Sequence, residues 1–476
     1  MLSRVAIVIG LLVLWSYSAS AQSNSSRTVN LTLPEVVTLL LQNNLDLRNA
    51  TLDRIVQRQQ LREAESAFTP RIEPKLEIRT QQSLSSNDLL NSSSTDQLAQ
   101  VVGTMRTPIG TTLTVTASPF ESNRFGVTVT QPLLRGFGSV NRIPVQQARL
   151  SESRNQLTLR QTLSSQITQA GTSYRNLARS QEQLRIQRLS FESQRQQAEF
   201  TKVLVDAGRR PRSALVDIEA NIAVTQTQLV NAQNTVKQAQ SDLLQLLNLD
   251  EPLNIVVPQS AIDEFKSESP LANSMLSQSP ETLLNLAYAQ RPDYLQALLD
   301  IQSTELNQRV VADNRRWSLN LEGSMNMGDR SQTAGAIVLS RVLNDPAIDT
   351  AFQQSRVDVL KQQNNLTKLR ESIKIDVESR LRDVSAARDR ITSARQAREL
   401  AEQRLANANE RFRLGRGTDI FEVISLQNGV VAAQNDEVNA RIELLDTISR
   451  LEQSIGITLD TWKTAVDESK LLQIPR

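Results

Sequence analysis

The stretch RFRLGRGTDIFEVISLQNGV, residues Arg411–Val430, interrupts a long run of polar, Ala- and Gln-rich sequence. It contains Gly415 and Gly417, in a chain with only 15 glycines among 476 residues. Glycine permits the positive φ of a helix C-cap, so the pair predicts that one helix ends here and a second runs back. FTKVLVDAGRRPRSALVDIEANI, Phe200–Ile222, has the same plan around Gly208. The chain is therefore predicted to form two long helical hairpins.

Each reversal separates a long helix from a shorter returning helix. The long segments lack proline after Pro144, and Gly171 is their only glycine. In the second of them Val377, Leu381 and Val384 step by the four and three residues of a coiled coil. At 1.5 Å per residue, each long helix would reach about 100 Å. The predicted helices cover about 141–206, 214–248, 350–413 and 420–455.

The composition excludes several classes of function. The chain has no cysteine and no histidine, which rules out thiolate and imidazole metal sites, Cys nucleophiles and triads that use His as base. Aromatic residues make up 4% of the sequence, so a large aromatic core is not expected. The formal charge is +2, with Lys and Arg dispersed among Glu and Asp, and gives no nucleic-acid footprint. No catalytic constellation, metal site or cofactor is predicted.

The N-terminus indicates export. Arg4 precedes the apolar run Val5–Trp15, which is followed by the small residues Ser18–Ala21. This pattern is typical of a secretory signal peptide, here residues 1–21, cut before Gln22. The apolar run is too short to remain as a membrane-spanning helix.

The rest of the chain divides into two internal repeats, residues 22–270 and 271–476. Val37–Asp53 aligns with Leu283–Asp300, and the reversal at Gly208 corresponds to that at Gly415. The second copy is shorter by about forty residues, mostly where the first carries the Ser/Asn-rich stretch Ser83–Gln97. The order of the parts is the same in both copies.

Each repeat also contains segments in which apolar residues alternate with polar ones, the period of a β-strand. We predict one hairpin per repeat, pairing about 71–80 with 111–133 and about 317–327 with 333–343. Four strands with one apolar face cannot close, because barrels begin at about eight strands, so more than one copy is required. The polar face of the first strand carries Glu73, Lys75, Glu77 and Arg79. These residues would line a water-filled lumen. Alternatively, they would lie on a sheet that faces solvent and encloses no lumen.

Four motifs give the chain a resemblance to a known family. They are LTLPEVVTLLLQNNLDLRNA (Leu31–Ala50), AQRPDY (Ala289–Tyr294), TQPLLRGFG (Thr130–Gly138) and RFRLGRGTDIFEVISLQ (Arg411–Gln427). In this order and spacing the chain resembles the TolC-like outer membrane efflux proteins, the exit ducts of tripartite efflux pumps and type I secretion systems. The resemblance implies a mainly helical homotrimer in the outer membrane. Its 12-stranded β-barrel would continue into a periplasmic helical barrel.

The resemblance also assigns roles to the two reversals, which would dock to a periplasmic adaptor. The predicted docking residues are Gly208, Arg209, Arg210, Gly415, Arg416, Gly417 and Thr418. The predicted periplasmic entrance comprises Arg413, Asp419, Glu422 and Ser425. Relatives carry two acids three residues apart at the entrance, whereas here the second position is Ser425, so a weaker cation-selective gate is expected. The plainer interpretation is that the glycines only reverse the chain and that Glu422 lies on a solvated helix face.

The partners implied by the resemblance are two further copies of the chain, the adaptor, outer membrane lipid and, through the adaptor, an inner-membrane pump or ABC transporter. The inner-membrane partner would supply the energy, so the duct would need no catalytic residue. Two alternatives come from other classes, namely a periplasmic coiled-coil adaptor and a structural protein of the cell envelope. An adaptor would show one helical hairpin flanked by compact β domains. A structural coiled coil would lack the alternating strands.

Overall fold

The computed structural model describes residues 28–83, 92–119, 124–249, 253–264, 277–328, 331–414 and 419–462. The predicted signal peptide lies outside these ranges. The helices are α1 (Leu33–Asn43), α2 (Leu45–Glu65), α3 (Ile143–Asp206), α4 (Ser213–Leu247), α5 (Gln259–Glu264), α6 (Pro280–Gln290), α7 (Pro292–Asn314), α8 (Pro346–Arg413), α9 (Ile420–Ile455) and α10 (Thr458–Thr461). The strands are β1 (Thr28–Asn30), β2 (Arg71–Ser83), β3 (Ser92–Arg106), β4 (Thr112–Ala117), β5 (Phe125–Pro132), β6 (Asn254–Val256), β7 (Ser318–Met327) and β8 (Gln332–Ser340).

The two longest helices, α3 and α8, contain 64 and 68 residues, which corresponds to about 100 Å each. Pro144 and Pro346 stand in their first turns, where the missing N–H leaves no hydrogen bond unmade. The bounds of α3, α4 and α9 lie within two residues of the predicted ones, and α8 begins at Pro346 rather than at about 350. In the described part of the chain, no helix combines the length and the apolar character needed to cross a membrane.

The long helices form two antiparallel hairpins, α3 with α4 and α8 with α9, and α9 also packs against α3. The first hairpin buries Tyr174, Leu177 and Leu243 in a core shared with α1 and β6. The second buries Val377 and Leu451, among others, in a core shared with α6. Because α9 contacts both long helices, the two predicted repeats form one bundle.

A short parallel sheet ties the start of the described chain to the end of the first hairpin. β1 pairs with β6, with Val29 opposite Ile255. Next to it, the Tyr174 hydroxyl donates a hydrogen bond of 2.9 Å to the backbone oxygen of Leu31. This sheet is not predicted from the sequence, since its strands have three residues each and no alternation can be recognised over that length.

The remaining strands form one antiparallel, open sheet in the order β2-β3-β4-β5-β7-β8, which we call the six-stranded sheet. The prediction of four strands was therefore wrong. Segment 71–80 does not pair with 111–133 but with β3, with Leu76 opposite Ala99. Segment 111–133 contains both β4 and β5, which pair with each other, with Val115 opposite Val127.

These errors have a physical reason in the sequence. β3 begins with the polar run SSSTDQ, which offers no apolar alternation and was interpreted as an insertion between strands. The second predicted hairpin agrees with the pairing of β7 and β8, in which Leu321 lies opposite Ile337. In the described residues, β2 and β8 are the edge strands and the sheet does not close on itself.

A buried ion pair joins the two hairpins where α3 meets α9. The Arg175 guanidinium donates to Asp446 Oδ1 and to Ser449 Oγ, both at 2.7 Å. Gly171 lies one turn earlier, and a Cβ there would come within 3.4 Å of an Arg175 nitrogen. Glu452, which is 5% exposed, lies near the same guanidinium. The site thus concentrates three buried charged groups in the middle of the bundle.

Glu452 makes stability depend on pH. Burial raises the pKa of its carboxyl above the ordinary value of 4.5, and attraction to Arg175 offsets this only in part. A raised folded-state pKa means that this contribution to stability is complete below the unfolded pKa and is lost as pH rises through the folded pKa. Glu452→Gln should therefore raise the thermal unfolding midpoint at neutral pH. The gain should shrink as pH falls through the raised folded-state pKa and be absent below 4.5, and a gain independent of pH would contradict this assignment.

Candidate functional site

The six-stranded sheet has one apolar and one polar face, and the register keeps each face continuous across all strands. On the apolar face Leu113, Val129 and Gly323 are neighbours along the ladder, and Leu321 lies beside Ile337. On the other face Thr112, Thr130 and Glu322 are neighbours in the same way. Exposed apolar residues on the first face include Ile72, Leu76, Val101, Met105, Phe125, Val129, Leu321, Met325, Ile337 and Leu339. The sheet is therefore suited to separate an apolar medium from water.

The predicted lumen residues belong to the polar face of β2. Glu73 lies opposite Val102 and Lys75 opposite Gln100, and both are exposed. The side chains of Glu77 and Arg79 lie outside the described residues, although their backbones pair with Leu98 and Asp96. A lumen role for these four residues remains a prediction.

The first reversal ends α3 in a capping motif that requires glycine. Gly208 has φ +70°, and its N–H donates to the backbone oxygen of Val205 at 2.9 Å. The N–H of Arg209 donates to Leu204, also at 2.9 Å. These two bonds are the Schellman arrangement, which satisfies carbonyls that the last helical turn leaves open. The chain then starts α4 at Ser213.

The ends of the two hairpins pack together into what we call the helical tip, residues 204–218 with 405–414 and 419–426. Its buried cluster contains Ala214 and Ile218 of α4, Phe412 of α8, and Ile420 and Val423 of α9. The guanidinium carbon of Arg210 lies 4.7 Å from the centre of the Phe412 ring, a cation–π contact. The tip is thus one surface made from both predicted repeats.

The second reversal is described on both sides but not at its centre. Gly415, Arg416, Gly417 and Thr418 lie outside the described residues. Asp419 caps α9, because its side chain accepts a 2.6 Å hydrogen bond from the N–H of Ile420. Capping of this kind is worth about 1 kcal/mol and explains the acid at this position.

The predicted entrance residues have different surroundings. Glu422 lies 3.6 Å from Arg411, an exposed ion pair of small energetic value. Arg413 and Ser425 are exposed. Among the described residues, the cation that faces Glu422 is therefore Arg411, two residues before the predicted entrance residue Arg413.

Sequence reasoning missed three features of the tip. These are the Arg411–Glu422 pair, the Arg210–Phe412 contact and a set of exposed apolar side chains. The exposed set is Val216, Leu414 and Phe421, together with Val203 just before the tip, each at least 57% exposed. The apolar residues were visible in the quoted stretches. Their exposure follows only from the packing of one hairpin on the other.

The comparisons with known proteins agree with this geometry. Residues 36–249 match the family model described as outer membrane efflux protein. No curated protein matches the sequence. Among solved structures, the outer-membrane channel OprN superimposes with a TM-score of 0.68 at 16% identity, covering 89% of each chain.

Two further structures extend the likeness. CusC, whose transmembrane channel formation has been studied, matches with a TM-score of 0.68 at 16% identity, over 90% of this chain and 93% of its own. The CmeC outer membrane channel of Campylobacter jejuni matches with a TM-score of 0.67 at 15% identity, over 99% of this chain and 98% of its own. Residues 36–249 are thus similar to the outer membrane efflux proteins, and the chain as a whole has the fold of these outer membrane channels.

Proposed function

We propose that the protein is a passive exit duct of the outer membrane, assembled from three copies of the chain. The observation that carries this proposal is the six-stranded sheet, which has opposed apolar and polar faces and two unpaired edges in the described residues. Strand edges at membrane depth must pair, because nothing else there satisfies their N–H and C=O groups. β8 of one copy would pair with β2 of the next and close a barrel.

The strand number of such a barrel differs from the expectation of twelve. Each chain contributes six strands, so three copies would supply eighteen. Barrel diameter grows roughly linearly with strand number, and barrels of 16–18 strands enclose an aqueous channel. The two additional strands of each chain are β3 and β4 of the first predicted repeat. The second repeat has no counterpart to them among its described residues.

The faces give the orientation. The face with Leu321 and Ile337 would contact lipid, and the face with Glu73, Lys75 and Glu322 would line water. The hairpins of about 100 Å would then extend into the periplasm as a helical barrel. Because only passage is required, cargo would be selected by an inner-membrane pump or ABC transporter that also supplies the energy.

The helical tip would dock to a periplasmic adaptor. It combines Arg209 and Arg210 with exposed apolar side chains such as Val216 and Phe421, a surface able to take a partner helix. At the entrance, the Glu422 side chains of the three copies would form a ring of three carboxylates. Because Glu422 is already paired with Arg411, cation selection there should be weak.

Fractionation tests the proposed location and assembly. The mature protein should be recovered in the outer membrane fraction and, after purification in detergent, should have the mass of three chains. A protein recovered in the soluble or inner-membrane fraction would instead support the periplasmic adaptor or structural alternative. A stable monomer with full strand content would refute the closed barrel.

Docking through the tip gives a separate prediction. Arg209→Glu combined with Arg416→Glu reverses two charges of the predicted docking residues. A substitution at an exposed position such as Arg209 usually changes stability by less than about 0.5 kcal/mol. Opposed charges should weaken the adaptor contact, so export should fall about tenfold or more. Export in cells is measured alongside trimer abundance in the outer membrane. The matched control is Arg195→Glu with Arg388→Glu. These are exposed positions of α3 and α8, away from the helical tip. Unchanged export in the Arg209→Glu, Arg416→Glu variant would mean that the two glycine turns only reverse the chain and do not dock to an adaptor.

A further inference from the structure

A cavity of about 580 Å³ lies at the base of the six-stranded sheet, where β5 and β7 approach the helices and β8 runs into α8. Four arginines line it, Arg135, Arg315, Arg316 and Arg341, together with the acids Asp345 and Asp349. The lining thus carries an excess of positive charge. Neither the helical tip nor the polar face of the sheet includes this cavity.

Two of the arginines form ion pairs with aspartates of the protein. Arg315 forms an ion pair of 2.9 Å with Asp349, and its guanidinium carbon lies 4.3 Å from the centre of the Phe352 ring. Arg316 lies 3.3 Å from Asp313. The remaining acid, Asp345, caps α8 by accepting a hydrogen bond from Ala347.

The other two arginines are not neutralised. In the part of the chain that the structure describes, neither Arg135 nor Arg341 has an acidic partner. The Arg341 guanidinium instead lies over Trp317, 5.3 Å from the ring centre. A guanidinium in this state retains its five N–H donors for an external anion, and its fork geometry matches a phosphate group.

The position of this pair relative to the sheet indicates the kind of anion. On the apolar face, Leu319 lies opposite Leu339, and Leu321 lies opposite Ile337. Trp317 and Arg341 come directly before Leu319 and directly after Leu339 on the same face, at the end of the sheet nearest the helices. Ile337 and Leu339 are 73% and 60% exposed. Tryptophan is enriched where a membrane protein meets the headgroup layer. The cationic cavity therefore lies directly below a continuous apolar strip.

We propose that this cavity binds the headgroup of an anionic phospholipid on the periplasmic side of the bilayer. Arg135 and Arg341 would bind the phosphate, and the acyl chains would lie along the apolar face of β7 and β8. The inference rests on the proposed function, since it requires that face to contact lipid. The cavity carries an excess of positive charge, which would repel the ammonium group of a zwitterionic headgroup. An anionic lipid is therefore favoured.

The tryptophans of the chain allow a direct test. There are three, Trp15, Trp317 and Trp462, and Trp15 falls within the predicted signal peptide. In the mature protein, Trp462→Phe therefore leaves Trp317 as the single tryptophan. The trimer is titrated in detergent with phosphatidylglycerol or phosphatidylethanolamine carrying brominated acyl chains, which quench tryptophan on contact. Each variant is referenced to the same lipid without bromine, which removes effects of the substitution on the fluorescence itself.

The expected result is quenching at much lower concentrations of the anionic lipid. Arg135→Gln with Arg341→Gln should weaken the preference for phosphatidylglycerol by about tenfold or more, since each basic side chain near a membrane surface contributes appreciably. Arg195→Gln with Arg388→Gln removes the same charge from the helix shafts and should leave the preference unchanged.

Three outcomes would overturn the inference, and they differ from one another. Equal quenching by both lipids would show that the apolar face meets lipid but that the cavity does not select a headgroup. Loss of the preference on adding inorganic phosphate would identify a site for free phosphate instead. No quenching by either lipid would mean that Trp317 does not contact lipid, and the proposed membrane arrangement would fail as well.

Discussion

Arg175→Leu is expected to lower the free energy of unfolding by about 3–5 kcal/mol, because it removes one partner of a buried ion pair. Arg175 and Asp446 have side chains only 8% and 11% exposed. Without the guanidinium, Asp446 and Glu452 would be two buried carboxyls that have lost the cation they share. The measurement is chemical denaturation in detergent, followed by the circular dichroism of the helices.

Two controls separate this cost from a general effect of losing an arginine. Arg175→Leu with Asp446→Leu removes both charges, and replacing a buried pair by apolar residues is often neutral, so most of the stability should return. Arg149→Leu removes an exposed arginine of the same helix, whose partner Glu65 is 43% exposed. That change should cost less than about 1 kcal/mol. Equal losses for Arg149→Leu and Arg175→Leu would show that the buried pair has no special role.

Leu321→Arg is the second substitution with a large expected effect. Leu321 lies mid-strand on the apolar face of β7, beside Ile337. A cation on the lipid side of a barrel costs about 2–4 kcal/mol near the midplane of the bilayer. Assembled trimer in the outer membrane, quantified by electrophoresis without heating, should therefore fall steeply.

The matched control is the next residue of the same strand. Glu322→Arg introduces the same side chain on the opposite face, among Thr130 and other polar neighbours. Facing water, it should leave trimer abundance close to that of the parent protein. Comparable loss from both substitutions would show that the two faces of the sheet do not meet different media.

The helices could be predicted closely because their signals are local. Long segments free of proline define α3, α4, α8 and α9 without reference to the rest of the chain. Their ends lie at glycine or proline, except that the C-cap of α4 is Asn248, which has φ 51°. α7 begins at Pro292, a residue that suits the first turn of a helix. The contacts that hold this turn, from Arg291 to Asp376 and to the backbone oxygen of Ser454, are remote in sequence and were not predicted.

The strands were harder because their pairing is not a local property. β7 alternates Leu319 and Leu321 with Asn320 and Glu322, so its existence and its faces follow from the sequence. β3 starts with six polar residues and becomes a strand through pairing with β2. β4 and β5 each alternate well, but the prediction placed both in the one segment 111–133, because alternation does not show which strands pair with each other.

At the helical tip, the sequence predicted the reversals but not the contacts between them. Gly208 has the positive φ that its place in the sequence requires. Arg210 and Phe412 are about two hundred residues apart, and no periodicity connects them. The pairing of Glu422 with Arg411 depends on how far α8 runs before the chain turns, which spacing alone could not determine.

Electron microscopy of the purified assembly in detergent tests the central claim most directly. The account predicts three copies around one axis, each giving six strands to a closed barrel, with a continuous water-filled bore that runs on between the helical hairpins. The β8 strand of each copy should be hydrogen-bonded to β2 of its neighbour. A sheet that remains open in a single chain, or a closed barrel whose interior is filled by side chains, would contradict the account.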